Sequence, residues 1–301
     1  MSFPTYEVII IGGSFAGLSA AMSLGRASRK VLIIDNQLPC NRQTPHSHNF
    51  LTQDGEAPLT ILEKSRQQVA AYPTIEFKIG TVSNAVKTAN LFEVTLQNGA
   101  QFSGKKLLIA AGIKDDTSQI KGLSECWGIT VIHCPYCHGF EVKGLPTAVV
   151  ANGNDGFEYA KMIFHWTQQL TLCTNGPSTL SEEQLQTLLQ RGISVMEEPI
   201  EAFIHSQGQL EHLLFQNGKT LSVAAAYFRP PFVQSGDFSA QLGYELTPQG
   251  YIQVNEMQQT SQPGVYAAGD NTSPFRSVAN AVAKGSMAGA VINRELIEES
   301  F

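Results

Sequence analysis

The sequence predicts an α/β protein made of two layered units, each with a parallel sheet. Three observations predict it. A strand, a glycine-rich turn, a helix and a second strand succeed one another over residues 8–35, and such a βαβ unit implies parallel pairing. A weaker copy of the pattern recurs over residues 147–174. An Asn-Gly pair between apolar runs, Asn98-Gly99 and then Asn217-Gly218, marks a β-hairpin after each copy. At 301 residues the chain is too long for one ordinary domain and about right for two.

The elements follow in order. Val8 to Ile11 is short, apolar and β-branched, which is the pattern of a buried strand. The turn Gly12-Gly13-Ser14-Phe15-Ala16-Gly17 comes next, and Leu18 to Ala27, rich in Ala, Leu and Met, predicts a helix. Val31 to Ile34 is a second buried strand ending at Asp35. Phe92 to Leu96 and Leu107 to Ala111 flank the first hairpin signal. In the second unit, Thr147 to Ala151 is a strand, Asn152 to Gly156 a turn, Phe157 to Thr167 a helix and Leu170 to Thr174 a strand. Leu213 to Phe215 and Val223 to Phe228 flank the second hairpin. Residues 293–299 are amphipathic enough for a surface or interface helix.

Composition excludes several classes. Hydrophobic residues make up 43% and charged residues 15%, which argues against a disordered or nucleic-acid-binding chain. The net charge is −6 and no Lys/Arg run stands out, so a phosphate-backbone partner is not expected. No apolar stretch approaches the ~18 residues of a membrane span. The start lacks the basic n-region and cleavage site of a signal peptide, so a cytoplasmic protein is expected.

A strand, a glycine turn and a helix together form a phosphate site, because the helix N-terminus carries unpaired N–H groups and positive dipole character. Gly12 and Gly17 fit the first and last glycines of a dinucleotide fingerprint, with Ser14 at the middle position. Asp35, about 20 residues on, fits the acid that binds ribose hydroxyls. The alternative is a tight turn with no ligand.

Five cysteines are present, and an odd count argues against a disulfide framework. Cys40, Cys126 and Cys173 stand alone and fit core or surface positions. The pair Cys134 and Cys137, in His133-Cys134-Pro135-Tyr136-Cys137-His138-Gly139-Phe140-Glu141, has the spacing of a small redox disulfide. Cys-x-x-Cys-His is also a c-type haem signature, but that chemistry needs export. His133, Cys134, Cys137 and His138 could ligate zinc, yet no second ligand pair stands at finger spacing, so no metal is expected. Buried, inert thiols are the remaining alternative.

With both motifs in place, the chain resembles the thioredoxin reductase-like flavoproteins over nearly its whole length. Thr260 to Asp270 looks like that family's second FAD motif, and Arg276-Ser277-Val278-Ala279-Asn280-Ala281 resembles the helix that meets the flavin, with Ser277 in place of the usual Gln. The resemblance implies two Rossmann-like (three-layer ββα) domains in the low-molecular-weight thioredoxin reductase architecture. It implies FAD at Gly12, Ser14, Phe15, Ala16, Gly17, Asp35, Ala111, Gly269, Asp270, Ser277 and Val278. It also puts Asn41, Arg42 and His48 near the flavin and Val82 near the adenine. The FAD domain would be split, residues 1–114 and 233–301, with a Cys-bearing domain, 115–232, inserted. Within the family, Cys-Pro-Tyr-Cys-His-Gly-Phe-Glu, His46 to Leu51 and Phe228 to Phe232 look like the dithiol oxidases of gliotoxin-, holomycin- and romidepsin-type products. Ordinary thioredoxin reductases carry an acid where His138 stands.

The second glycine turn would hold NADPH in a thioredoxin reductase. Here Ala151 takes the first glycine position, Gly153 the middle and Gly156 the last, and Asp155 would face a phosphate unfavourably. Thr174-Asn175-Gly176-Pro177-Ser178 replaces the family's basic segment, and no Lys or Arg falls between Lys161 and Arg191. The sequence therefore argues against NADP(H) and for a scaffold unit, and it leaves NADH open. The implied activity is oxidation of a dithiol through Cys134 and Cys137, with electrons passing to FAD and then to O2 or another acceptor. By resemblance, Cys134 meets the substrate and Cys137 the flavin. His138 would be the base, since His titrates near working pH, and His133 is a weaker candidate. Two alternatives stand beside it, an NAD(P)H-dependent thioredoxin or disulfide reductase and a flavin-bound redox sensor. The expected substrate is a small dithiol or disulfide, or a thioredoxin-like protein, and the resemblance implies a homodimer.

Overall fold

Four consecutive β-branched residues suit a strand covered on both faces. In the computed structural model, which describes residues 4–301, Val8 and Ile10 enter one apolar cluster and Ile9 and Ile11 the other. The chain divides into two units: residues up to 42, 50–114 and 232–301, and residues 43–49 with 115–231.

The first unit begins β1 (Thr5–Ile11), α1 (Phe15–Arg26), β2 (Val31–Asp35), α2 (Pro58–Ala70), β3 (Ile75–Ile79), β4 (Val82–Thr88), β5 (Leu91–Leu96) and β6 (Gln101–Ile109). Its seven-stranded sheet runs β3-β2-β1-β6-β5-β4, and Val265–Ala267 also pairs with β6. Pairing is parallel from β3 to β6 and antiparallel through β6, β5 and β4. The Asn98-Gly99 signal closes the β5–β6 hairpin, with the Gly99 N–H on Leu96 O at 2.9 Å.

On one face, α1 packs against the long C-terminal helix Val278–Glu298. Glycine makes that approach possible. A Cβ on Gly285 would collide with the Ala16 carbonyl O, and one on Gly289 would lie 2.6 Å from that of Ala20. Ser19 Oγ donates to Val282 O at 2.7 Å across the contact. The amphipathic segment 293–299 proves to be the last turns of this helix, burying Leu296 and exposing an Arg294–Glu298 pair.

The second unit holds a five-stranded parallel sheet in the order Ser194–Met196, Leu170–Cys173, Thr147–Val150, Ala225–Phe228, Val131–Ile132. Its three-stranded antiparallel meander comprises Ile200–Ser206, Gln209–Phe215 and Thr220–Ser222. The Asn217-Gly218 signal makes the last hairpin, where Phe215 N–H meets Lys219 O at 3.0 Å. Segment 43–49, which the sequence places in the first domain, belongs to this unit. Gln43 Nε2 bonds Ser124 O at 3.1 Å there.

Candidate active site

A phosphate cradle needs backbone N–H groups facing open space, with no side chain in the way. Past the end of β1, Gly12 sits at φ +107°, where an L side chain is strained. A Cβ there would collide with the Ala110 carbonyl O, and a Cβ on Gly17 would collide with Gly12's own carbonyl O. Gly13 N–H donates to Asp35 Oδ1 at 3.2 Å and Arg66 Nη2 to Asp35 Oδ2 at 2.5 Å, so the carboxylate is fixed at the tip of β2. Ser14 occupies the N-cap of α1, but its side chain makes no cap bond. The positive end of α1 therefore stays available to a phosphate.

The C-terminal motif meets α1 from the other side. A Cβ on Gly269 would lie 3.1 Å from Ala16 Cβ. Asp270 Oδ2 lies 3.7 Å from Arg276 Nε and 3.8 Å from Cys40 Sγ, next to Asn41 and Arg42 in sequence. Ser277 caps the long helix through the Asn280 N–H at 3.1 Å, and Val278 opens that helix. Ala111 follows Ala110 at the Gly12 turn. Val82 opens β4 just after Gly80, whose N–H donates to Asp35 O at 3.0 Å.

In the second unit, Pro135–His138 form a single helical turn with Cys134 at its N-cap. Proline suits the first helical position, where its missing N–H has no partner to lose. Cys137 Sγ donates to Cys134 Sγ at 2.8 Å. That bond, more than anything else, draws the Cys134 thiol down to about 7. Burial opposes it, while the N–H groups of Cys137 and Tyr136 and the Arg229 guanidinium assist. Arg229 is held 4.1 Å over the Tyr159 ring, whose OH bonds His133 O at 2.7 Å. The lone cysteines differ. Burial pushes Cys126 up to about 11 and Cys173 to about 12, which leaves both as inert thiols.

Burial holds the His138 imidazole below its usual pKa, aided by His48 and opposed by Glu141 and a hydrogen bond to the His46 backbone. A neutral imidazole can take a proton, and His138 Nε2 is buried with no hydrogen-bond partner among the described residues. His48 stands edge-on to His138 at 6.4 Å, with its Nε2 3.3 Å from Glu141 Oε1. His133 instead stacks on Trp127 at 5.8 Å, a structural placement. Among the described residues, no group of three or more His, Cys, Asp or Glu could hold a metal ion.

The second glycine turn is closed by its own chain. Asn152 caps the helix Gly153–Ile163, its Oδ1 accepting the N–H of Gly153 at 2.7 Å and that of Thr179 at 2.9 Å. Asn152 Nδ2 donates to Pro177 O at 2.9 Å, and Gln184 Nε2 to Asn154 Oδ1 at 3.1 Å. The residues that replace the basic segment are thus stitched onto the helix N-terminus. Gly153 to Gly156, expected as a turn, are helical because this cap starts the helix early.

Comparison with known proteins now decides the family. The sequence profile described as pyridine nucleotide-disulphide oxidoreductase matches residues 6–285. The chain belongs to this family. It is 29% identical over 304 residues to thioredoxin reductase tcpT of Claviceps purpurea (strain 20.1), covering 97% of this chain and 95% of that protein. The crystal structure of an oxidoreductase from Agrobacterium tumefaciens superposes with a TM-score of 0.91 at 36% identity, covering 98% of this chain and 99% of the other. That of HlmI does so with a TM-score of 0.92 at 29% identity, covering 100% and 96%. The protein is thus a FAD-dependent disulfide oxidoreductase with the thioredoxin reductase-like fold. The cradle fits FAD, since its glycines leave room where a Cβ would intrude and the α1 N-terminus has no side-chain cap.

The structure gathers Gly12, Ser14, Phe15, Ala16, Gly17, Asp35, Ala111, Gly269, Asp270, Ser277 and Val278 within the first unit, and Cys134, Cys137, His138 and His48 within the second. His48, expected near the flavin by resemblance, has its imidazole on Glu141. Residue-level sequence reasoning missed the roles of Arg66, Asn152, Tyr159, Glu141 and Arg229. The last two stood inside the quoted motifs, but neither has a spacing rule that would single it out.

Proposed function

We propose that the protein is a dithiol oxidase of the gliotoxin-, holomycin- and romidepsin-type branch, working without NADPH. One observation carries this. Of two helices that begin alike in sequence, α1 has no side-chain cap, whereas Gly153–Ile163 is capped by Asn152, whose side chain also ties Thr179 and Pro177 to the helix start. A pyrophosphate there would have to displace its own chain.

The chemistry follows from the Cys turn. A substrate thiol loses its proton to His138, and the thiolate attacks Cys134 Sγ of the Cys134–Cys137 disulfide. The S–S bond breaks and Cys137 leaves as a thiolate. The second substrate thiol gives its proton to the Cys137 thiolate and attacks the substrate sulfur of the mixed disulfide, so the product disulfide departs and Cys134 leaves as a thiolate. Its lowered pKa makes it a good leaving group. The substrate loses two electrons and the Cys pair gains them. When bound, FAD would supply a two-electron acceptor for the reduced Cys pair, with O2 or another compound as the onward acceptor. Gly12, Gly17, Gly269 and the α1 N-terminus would hold it, and Asp35 would offer a carboxylate to ribose.

The name of the Claviceps relative favours a second direction, reduction of a thioredoxin-type disulfide. The test of the Cys mechanism is Cys137→Ser. Dithiol turnover should fall to background while FAD stays bound, and turnover at the wild-type rate would sink it.

A further inference from the structure

We propose that the groove beside the Cys134–Cys137 turn is the substrate site, and that it takes a small, neutral dithiol carrying an aromatic or similarly flat ring. This rests on the Cys pair being the thiol-exchanging centre. The groove lies in the second unit, has a volume of about 390 Å3, and is lined by Tyr136, Glu158, Lys161, Met162, His165 and Trp166.

Its walls join the redox turn directly. Tyr136 lies between the two cysteines in sequence and is 59% exposed. Its ring meets Trp166 edge-on, 5.5 Å away at 90°. Trp166 in turn packs on the backbone of the Cys turn, where a Cβ on Gly139 would lie 2.9 Å from Trp166 Nε1. Rings at right angles leave a face and an edge to a third flat group, and the Met162 thioether adds a polarizable contact.

Charge and size narrow the occupant. Lys161 and Glu158 pair at 3.1 Å, so their charges cancel within the wall and reward neither an acidic nor a basic peptide. The volume sits at the small end of ligand pockets, ~300–1,000 Å3. A protein partner engages about 20–30 residues a side, well beyond this groove.

The test uses the flavin-loaded protein without oxygen. Benzene-1,2-dimethanethiol, neutral and aromatic, is compared with dithiothreitol by the second-order rate constant of flavin bleaching. Trp166→Ala should lower the aromatic-to-aliphatic rate ratio about tenfold, and Trp166→Phe should restore most of it. Separately, the Cys134→Ser/Cys137→Ser protein is titrated with the aromatic dithiol while tryptophan fluorescence is followed. A saturable change that Trp166→Ala abolishes supports the groove. An unchanged ratio, or fluorescence with no saturable change, overturns it. An equal loss in Trp166→Ala with a reduced thioredoxin-type protein also overturns it, since the face would then dock proteins. If no dithiol bleaches the wild-type flavin, the thiol-exchange function fails and the fluorescence titration alone decides the groove.

Discussion

Cys134 and Cys137 share one helical turn but differ in chemistry, because one accepts the hydrogen bond that the other donates. The thiolate is the nucleophile and the leaving group in exchange, and a pKa of about 7 keeps much of Cys134 in that form at neutral pH. The sign is direct: a lowered pKa means the thiolate appears as pH rises through about 7 and is lost below it. Iodoacetamide labelling of the reduced protein should therefore show a midpoint near 7 for Cys134. Arg229→Gln should move that midpoint upward, and a wild-type midpoint near 9.0 would contradict the account. His138 stays neutral to lower pH than an ordinary imidazole, because burial lowers its pKa. His138→Gln should slow thiol exchange at pH 7 by about a hundredfold. The deficit should shrink at alkaline pH, where the substrate thiol ionises unaided, and stopped-flow rates across pH would show whether it does. The Cys-x-x-Cys-His pattern was legible because its chemistry lies within one turn. The partnership of His48 with Glu141 was not, because it joins segments distant in sequence.

On the proposed reading, helix starts decide which cofactor the elements admit. Asn152 holds the Gly153–Ile163 helix and the residues after Leu170–Cys173 together. Asn152→Ala should destabilise the protein by about 1 kcal/mol, the usual worth of an N-cap. It should leave the dithiol rate unchanged, and chemical denaturation with parallel kinetics checks both. The two long helices of the first unit make the opposite point, since their contact needs glycine. Gly285→Leu would drive a side chain into the Ala16 carbonyl at the base of the flavin cradle. About 1–3 kcal/mol of overpacking strain and weakened FAD retention should follow, read by thermal melting and by flavin released on gel filtration. The strand–turn–helix order was legible at both sites from glycine spacing and apolar runs. The sealing of one turn was not, because the cap bonds to Thr179 and Pro177 cross a strand and a loop.

Across the whole molecule, two similar units serve unequal ends. The sequence placed both sheets and both hairpins, because parallel βαβ units and Asn-Gly turns are local signals. It put segment 43–49 in the first domain, whereas His46 and His48 there join His138 in the second unit, since an irregular loop carries no periodic pattern. One unit leaves its first helix start without a side-chain cap, and the other ties its glycine turn to its own chain through Asn152, which the proposal reads as one dinucleotide cradle kept and one lost. Anaerobic titration of the flavin-loaded protein tests this most directly. A dithiol should bleach the flavin rapidly, and NADPH or NADH at micromolar levels should leave it yellow. Rapid bleaching by a pyridine nucleotide would contradict the account and establish a nucleotide-driven disulfide reductase.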